Sequence, residues 1–493
     1  MGMQRVELVE DGDVRPVRSA APHTDQQPDH PATPSRRRRP RRRTWLATTA
    51  LALAAALALG TQSVLDARER DHAARLAAID DVILPLPEHP TVRWEMETDG
   101  PDGWADGWSY GTQAGDHVVT AVVHDRRYDV RAWTRETRSQ VWRASGDLTV
   151  DLGGREPHAS CRSLPGAGAV ACVLENEIGF GAATRDAQVV VLDARRGDVR
   201  ATWTTRWDGW DVTDDEIVGA TATRATGSVT WSVARTDLAG HRTSTATVGP
   251  IPLLDAGSTE KDDTAYLGPG PSFAVSGDTV ALADEGQAWV VTGGTARRVP
   301  DVSYRAWVGA TRGGAVEVQP IDASTQSWSP RLVLASGKTL TPAGDPIRMV
   351  VDDDSEPDLV LLTTYEGSKV QAIDARTGDV RWTGPAAGWG SVVLDGYLYT
   401  WGDAALHAVD LRDGSQVWTQ PYPGGDAMLF TDGRELYAQR GAQIYAYDLR
   451  TGRPGTTRVL DRVPGAGDDT YVSPWLGLLM TPSDGDGDTS VIG

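Results

Sequence analysis

Asparagine is nearly missing from this chain: Asn176 is the only one in 493 residues. Lysine and phenylalanine occur three times each and cysteine twice, against 45 Arg and 18 Trp. The Arg-for-Lys and Asn bias reads as codon usage in a GC-rich, bacterial genome and not as chemistry. No Gly-x-Ser-x-Gly or His-Glu-x-x-His motif occurs, so neither signature of hydrolytic catalysis is present. Positive charge is also short. Formal net charge is −20. Residues 1–43 hold ten Arg against six acidic side chains, so the remaining 450 residues carry −24. A body this acidic repels nucleic acid and anionic headgroups.

Long apolar runs are absent except at one place. Residues 1–43 are polar and Pro-rich, without an apolar period, and read as a disordered cytoplasmic tail. They end in RRRRPRRR. Residues 44–65, TWLATTALALAAALALGTQSVL, then carry no charge. About 20 apolar residues suffice to span the hydrocarbon, so one transmembrane helix is expected here. Seven Arg before it place the N-terminus in the cytoplasm and the body outside. Two rival readings stay open. One is a cleaved signal peptide, which normally has a shorter leader and apolar core. The other is a twin-arginine signal at Arg42-Arg43-Thr44-Trp45-Leu46. All of them export the body. Residues 66–89 read as a helical stalk or linker, stopped by Pro85, Pro87 and Pro90, whose job is spacing.

What is abundant is repetition. VQAIDARTGDVRW (370–382) returns as LHAVDLRDGSQVW (406–418) and as IYAYDLRTG (444–452). Alternating side chains around a central Ala give a strand. Asp374, Asp410 and Asp448 end it, their carboxylates accepting from the following turn. Gly378, Gly414 and Gly452 supply the positive φ, and a second strand ends in Trp382 or Trp418. The unit is a hairpin preceded by two more strands, recurring every 36 to 38 residues. Such units indicate a β-propeller of four-stranded blades over residues 90–493. The indole is expected to cover the small Ala of a neighbouring sheet. Weaker copies lie upstream: 130–142 keeps Trp142 without the Asp and Gly, and 189–203 keeps Asp193 and Gly197 with its Trp two residues late. Those at 231–243, 288–299 and 332–340 are degenerate. Eight hairpins precede a final segment that lacks its outer strand. Val92-Arg93-Trp94 matches Val380-Arg381-Trp382, so an N-terminal strand is expected to close the last blade. Eight blades fit the length best, with seven and nine open.

The strand–Asp–x–x–x–Gly–strand–Trp unit resembles the repeat of pyrroloquinoline-quinone-type propellers. That superfamily includes quinoprotein alcohol dehydrogenases and the propeller lipoprotein of the outer-membrane assembly machine. The resemblance is strong over 370–455 and weak over 90–345. Its enzymes, the resemblance implies, hold the quinone under a disulfide of adjacent Cys and bind calcium through Glu, Asn and Asp. Here Cys161 and Cys172 are not adjacent, and Asn176 sits in a degenerate unit. No cofactor and no catalytic residue is therefore expected.

The remaining candidates are read from local context. A two-residue type II′ turn at Gly166-Ala167 would set Cys161 opposite Cys172 as a disulfide, the rival being two free thiols. Gly337-Lys338-Thr339 lacks the first glycine of a phosphate loop. His117 and His124 fall on opposite faces of a strand. Asp352 to Asp354, and Asp484, Asp486 and Asp488, read as solvated loops before calcium ligands. Trp104, Trp108 and Trp210 each follow Asp-Gly and are candidates for an interaction surface, against packing between blades. Two readings of function result. The first is a membrane-anchored, extracytoplasmic, non-catalytic binding or scaffold module for a protein or envelope partner. The alternative is an extracytoplasmic enzyme, a quinoprotein-type dehydrogenase or hydrolase, with a diverged site.

Overall fold

A computed structural model describes residues 72, 75–76, 79–96, 111–124, 126–150, 157–176, 185–253, 271–302, 305–321, 330–388, 390–424, 427–463, 470–482 and 489–493. The expected tail (1–43), the apolar stretch 44–65, Trp104, Trp108 and Asp484 to Asp488 lie outside these residues. Among the described residues no helix is long and apolar enough to cross a membrane.

Nine sheets follow one another along the chain. They are blades 1 to 9, spanning 112–147, 157–207, 209–252, 272–298, 305–340, 344–386, 391–421, 428–459 and 473–492, the last completed by Val92–Met96. Within each, consecutive strands pair antiparallel, as short turns demand. The expectation of eight blades is corrected to nine. The degenerate copies at 231–243, 288–299 and 332–340 are the third and fourth strands of full blades 3, 4 and 5. Alternation alone sustains these sheets without the Asp, Gly and Trp signature.

Apolar side chains are buried between blades. Nine clusters occupy the nine successive interfaces, from blades 1 and 2 round to blades 9 and 1. The last of them sets Leu478 and Val491 of blade 9 against Val118 and Val122 of blade 1, so the ring is closed. The N-terminal strand makes this possible: Trp94 pairs with Val491 and Met96 with Thr489, antiparallel. It removes an exposed edge from blade 9.

One irregularity interrupts the ring. The first strand of blade 6 pairs with its own sheet only over Gly344–Pro346. It then leaves, and Met349–Asp352 runs parallel to the first strand of blade 7.

Candidate functional site

The repeat residues form a keyed joint between blades. Trp142, Trp382 and Trp418 lie opposite Ala132, Ala372 and Ala408 of their own sheets. Each indole Nε1–H crosses to the next blade. It donates to the carbonyl after the turn aspartate: Ala194 at 3.1 Å, Leu411 at 2.7 Å and Leu449 at 2.9 Å. The ring lies on the turn glycine, where an added Cβ would fall 2.4 Å (Gly197), 2.6 Å (Gly414) or 2.7 Å (Gly452) from it. The alanine that must be small therefore belongs to the indole's own blade, and glycine forms the neighbour's contact. This corrects the expectation that the ring covers a neighbour's alanine.

The turns are built for that contact. Gly197, Gly378, Gly414 and Gly452 have φ of +73°, +77°, +73° and +68°, which glycine adopts without a Cβ penalty. Asp374 accepts from the backbone N–H of Arg376 and Thr377 and from the Arg381 guanidinium. Those N–H groups, then Arg381, hold its carboxyl down at about 2. Asp193 is lowered first by Arg200, then by the N–H of Arg196. Asp410 accepts from the Arg412 N–H, and Asp448 from the backbone and hydroxyl of Thr451.

Other residues replace the signature where it is lost. Trp203 stacks on Gly240 in the shorter turn of blade 3. Leu340 stands where an indole would meet Gly378. In blade 1, Thr134 takes the aspartate's place, its hydroxyl accepting from the Ser139 N–H at 3.2 Å. Arg138 takes the glycine's place at φ +53° and sets its guanidinium over Trp94, 5.2 Å from the ring centre. A cation–π contact thus closes the ring where the indoles of blades 1, 2, 6 and 7 meet glycine.

Cys161 and Cys172 pair across blade 2 and are joined, with Cα atoms 4.1 Å apart and both side chains fully buried. The expected type II′ turn at Gly166 is corrected. Pro165–Ala167 forms a 3-10 turn, and Gly168 carries the positive φ of +56°. The register survives because the loop is symmetric about the same point: Leu164 pairs with Ala169.

One mouth of the central channel is open. Turns between the first and second strands of blades 1 to 5, with Asp352 to Asp354 of blade 6, line a cavity of 1560 Å³. Ten carboxylates face it against five Arg. Some are already keyed: Asp193 to Arg200 at 2.7 Å, Glu216 to Arg235 at 3.2 Å and Asp352 to Arg312 at 2.9 Å. Asp352 is raised by burial, against the pull of Arg312. Asp353 accepts from the N–H of Ser355 and Asp395, so the 352–354 turn ties blade 6 to blade 7. This run is hydrogen-bonded structure and not a freely solvated loop. Among the described residues no carboxylate, His or Cys group is arranged to hold a metal ion.

The opposite side of the same mouth is roofed by the chain that precedes the propeller. Leu76, Val82, Ile83 and Leu86 are buried against blades 7 to 9. Ile83 N–H donates to Thr431 O, while Arg135 and Arg458 donate to the carbonyls of Val82 and Leu86. Gln113 of blade 1 bonds both Asp81 N–H and Ile79 O. Leu76 and residues 79–86, expected within a spacer, lie along the propeller as a strap. Enclosure pushes the Asp80 carboxyl up to about 6; Asp81 adds to this and Arg135 opposes it. Asp81 is also raised by burial, eased by the N–H groups of Gly477 and Leu476.

Trp210 does not stand out as an exposed anchor. It is half-buried on the first strand of blade 3, with the Arg162 guanidinium 5.7 Å from its ring centre. The strap, the Arg138 substitute and the change of partner by the first strand of blade 6 have no signature in the sequence. Only the Ala-, Arg- and Leu-rich composition of the strap was visible, and it pointed to a helix.

These joints and turns define a β-propeller whose repeats over residues 366–460 are pyrroloquinoline-quinone-like. A family described as "Outer membrane protein assembly factor BamB" matches residues 366–460, the stretch where the signature is intact. No curated protein matches the chain. Solved structures with a related course include Saccharomyces cerevisiae Sqt1, 9% identical, with TM-score 0.33, covering 84% of this chain and 98% of that one. A eukaryotic initiation factor is 12% identical, with TM-score 0.40, over 74% and 89%. Apo AztD from Citrobacter koseri is 11% identical, with TM-score 0.26, over 70% and 95%.

Proposed function

We propose that this chain is a single-pass membrane protein whose extracytoplasmic propeller is a non-catalytic binding or scaffold module for a protein or envelope partner. The observation that carries the reading is the open mouth of 1560 Å³, rimmed by turns that neighbouring blades hold in place. Rigid sheets presenting ordered loops suit recognition. Net negative charge at the rim favours a partner surface with basic groups. The family matched over 366–460 is described as an assembly factor, which agrees with a scaffold role. The apolar stretch 44–65, outside the described residues, supplies the anchor in this reading.

The test is crosslinking of the intact protein in its own membrane, with identification of what is attached. A reproducible partner that is lost when mouth residues Asp214 and Asp215 become Arg supports the module. Turnover of an alcohol by the purified protein after addition of quinone and calcium would overturn it.

A further inference from the structure

The departure of the blade 6 inner strand leaves a particular wall behind. In blade 5, Val308, Val316 and Val318 face blade 4. Trp307 pairs with Gln319 and Gly309 with Glu317, so these alternate residues occupy the opposite sheet face, toward blade 6. Further out, the interface between blades 5 and 6 is apolar, with Leu332 and Leu334 against Val360 and Leu362. Near the channel it is not. Trp307 lies flat over Gly309, whose added Cβ would meet the ring at 2.2 Å, yet 36% of the residue is exposed. Glu317 is only 7% exposed. It accepts from Gln319 Nε2 at 2.6 Å and makes no ion pair among the described residues. Burial raises its carboxyl, with Asp345 adding and Arg348 opposing. On the blade 6 side, Tyr365 is 58% exposed and donates its hydroxyl to Asp345 at 2.8 Å. Arg348 stands 6.0 Å from the Trp307 ring centre.

We infer that this cleft binds a neutral glycan, with pyranose rings against Trp307 and Tyr365 and hydroxyls bonded to Glu317, Asp345, Gln319 and Arg348. A sugar ring has an apolar C–H face and an edge of hydroxyls that donate and accept. Aromatic faces next to directed acceptors and donors match both. Anionic polymers fit badly, since two carboxylates stand in the cleft and the chain carries −20. A quaternary ammonium ligand would compete with Arg348, which already occupies the cation position over the indole. The inference rests on the propeller being a binding module and names a ligand for it at a place distinct from the mouth.

The experiment uses the full chain in lipid nanodiscs, free of sugar-based detergent. Saturation-transfer NMR and calorimetry are run with maltohexaose, chitohexaose and mannohexaose. Saturable binding of at least one sugar is expected. Trp307→Ala and Tyr365→Ala should each weaken it about tenfold, equivalent to ~1.4 kcal/mol, while Trp475→Ala, at another exposed indole, should leave it unchanged. If Trp307→Ala does not fold, the exposed Tyr365→Ala decides. Three blank sugars, binding that survives Tyr365→Ala, or tetramethylammonium bound in place of sugar would overturn the site. A protein partner crosslinked at the mouth together with blank sugars removes the glycan site and leaves the scaffold reading standing.

Discussion

Replacing Gly414 by alanine separates two contributions to the joint between blades 6 and 7. Gly414 has φ +73°, and an added Cβ would lie 2.6 Å from the Trp382 ring. The left-handed backbone costs an L-residue roughly 1–2 kcal/mol. The collision adds about 1–3 kcal/mol, because the indole is held by its bond to Leu411 O and must leave its rotamer. Gly396, in the same blade, has φ +82° and nothing within 4 Å of its added Cβ. Gly396→Ala should therefore show the backbone cost alone. Urea unfolding followed by far-UV circular dichroism gives both midpoints, and Gly414→Ala should be the costlier by ~1–3 kcal/mol. In a Trp382→Leu background that excess should vanish, since the two sites are in contact. Equal costs for Gly414→Ala and Gly396→Ala would show that the indole–glycine contact does not hold the blades together.

Three further outcomes are expected. Removing the disulfide with Cys161→Ala and Cys172→Ala should lower stability by about 3 kcal/mol, the loop-closure value for a short loop, measured as a shift in unfolding midpoint. Asp80 has a raised carboxyl, so the folded state binds more protons than the unfolded chain between pH 3.8 and about 6. Stability from this group is complete at low pH and is lost as pH rises through that window. Asp80→Asn should then stabilise the protein at pH 7, by ~1 kcal/mol after screening by water in the mouth, and make no difference below the window; thermal midpoints at pH 3.5 and 7 check both. At the closing joint, Arg138→Gly exchanges a cation–π contact for a relaxed backbone and should stay within ~0.5 kcal/mol of wild type, whereas Arg138→Ala loses the contact and keeps the strain, at a cost of ~1 kcal/mol.

Blades 6 to 8 were legible because Asp374, Asp410 and Asp448 stand at one spacing before glycine. Closure by Val92 to Trp94 was legible because those residues copy Val380 to Trp382. The blade count was not, since blade 4 needs only residues 272–298 and has none of the signature residues. What an indole touches across a blade boundary also cannot be read from alternation, which fixes a side chain's face and not its neighbour. That is why the roles of Ala372 and Gly414 in the joint were exchanged. The strap differs from the expected spacer for a related reason: its apolar residues bury against Leu429, Phe430 and Leu436 of blade 8, hundreds of positions along the chain. The glycan cleft depends on a strand changing partners after Pro346, which no period reveals.

Ring closure joins Trp94 to Val491, nearly the whole chain apart. A ribosome delivers the first of these long before the last. During synthesis, residues 92–96 must wait as an unpartnered ribbon until the final hairpin has been made. An open arc of blades therefore forms first, and any holdase that shields the waiting ribbon would govern how many wheels are completed.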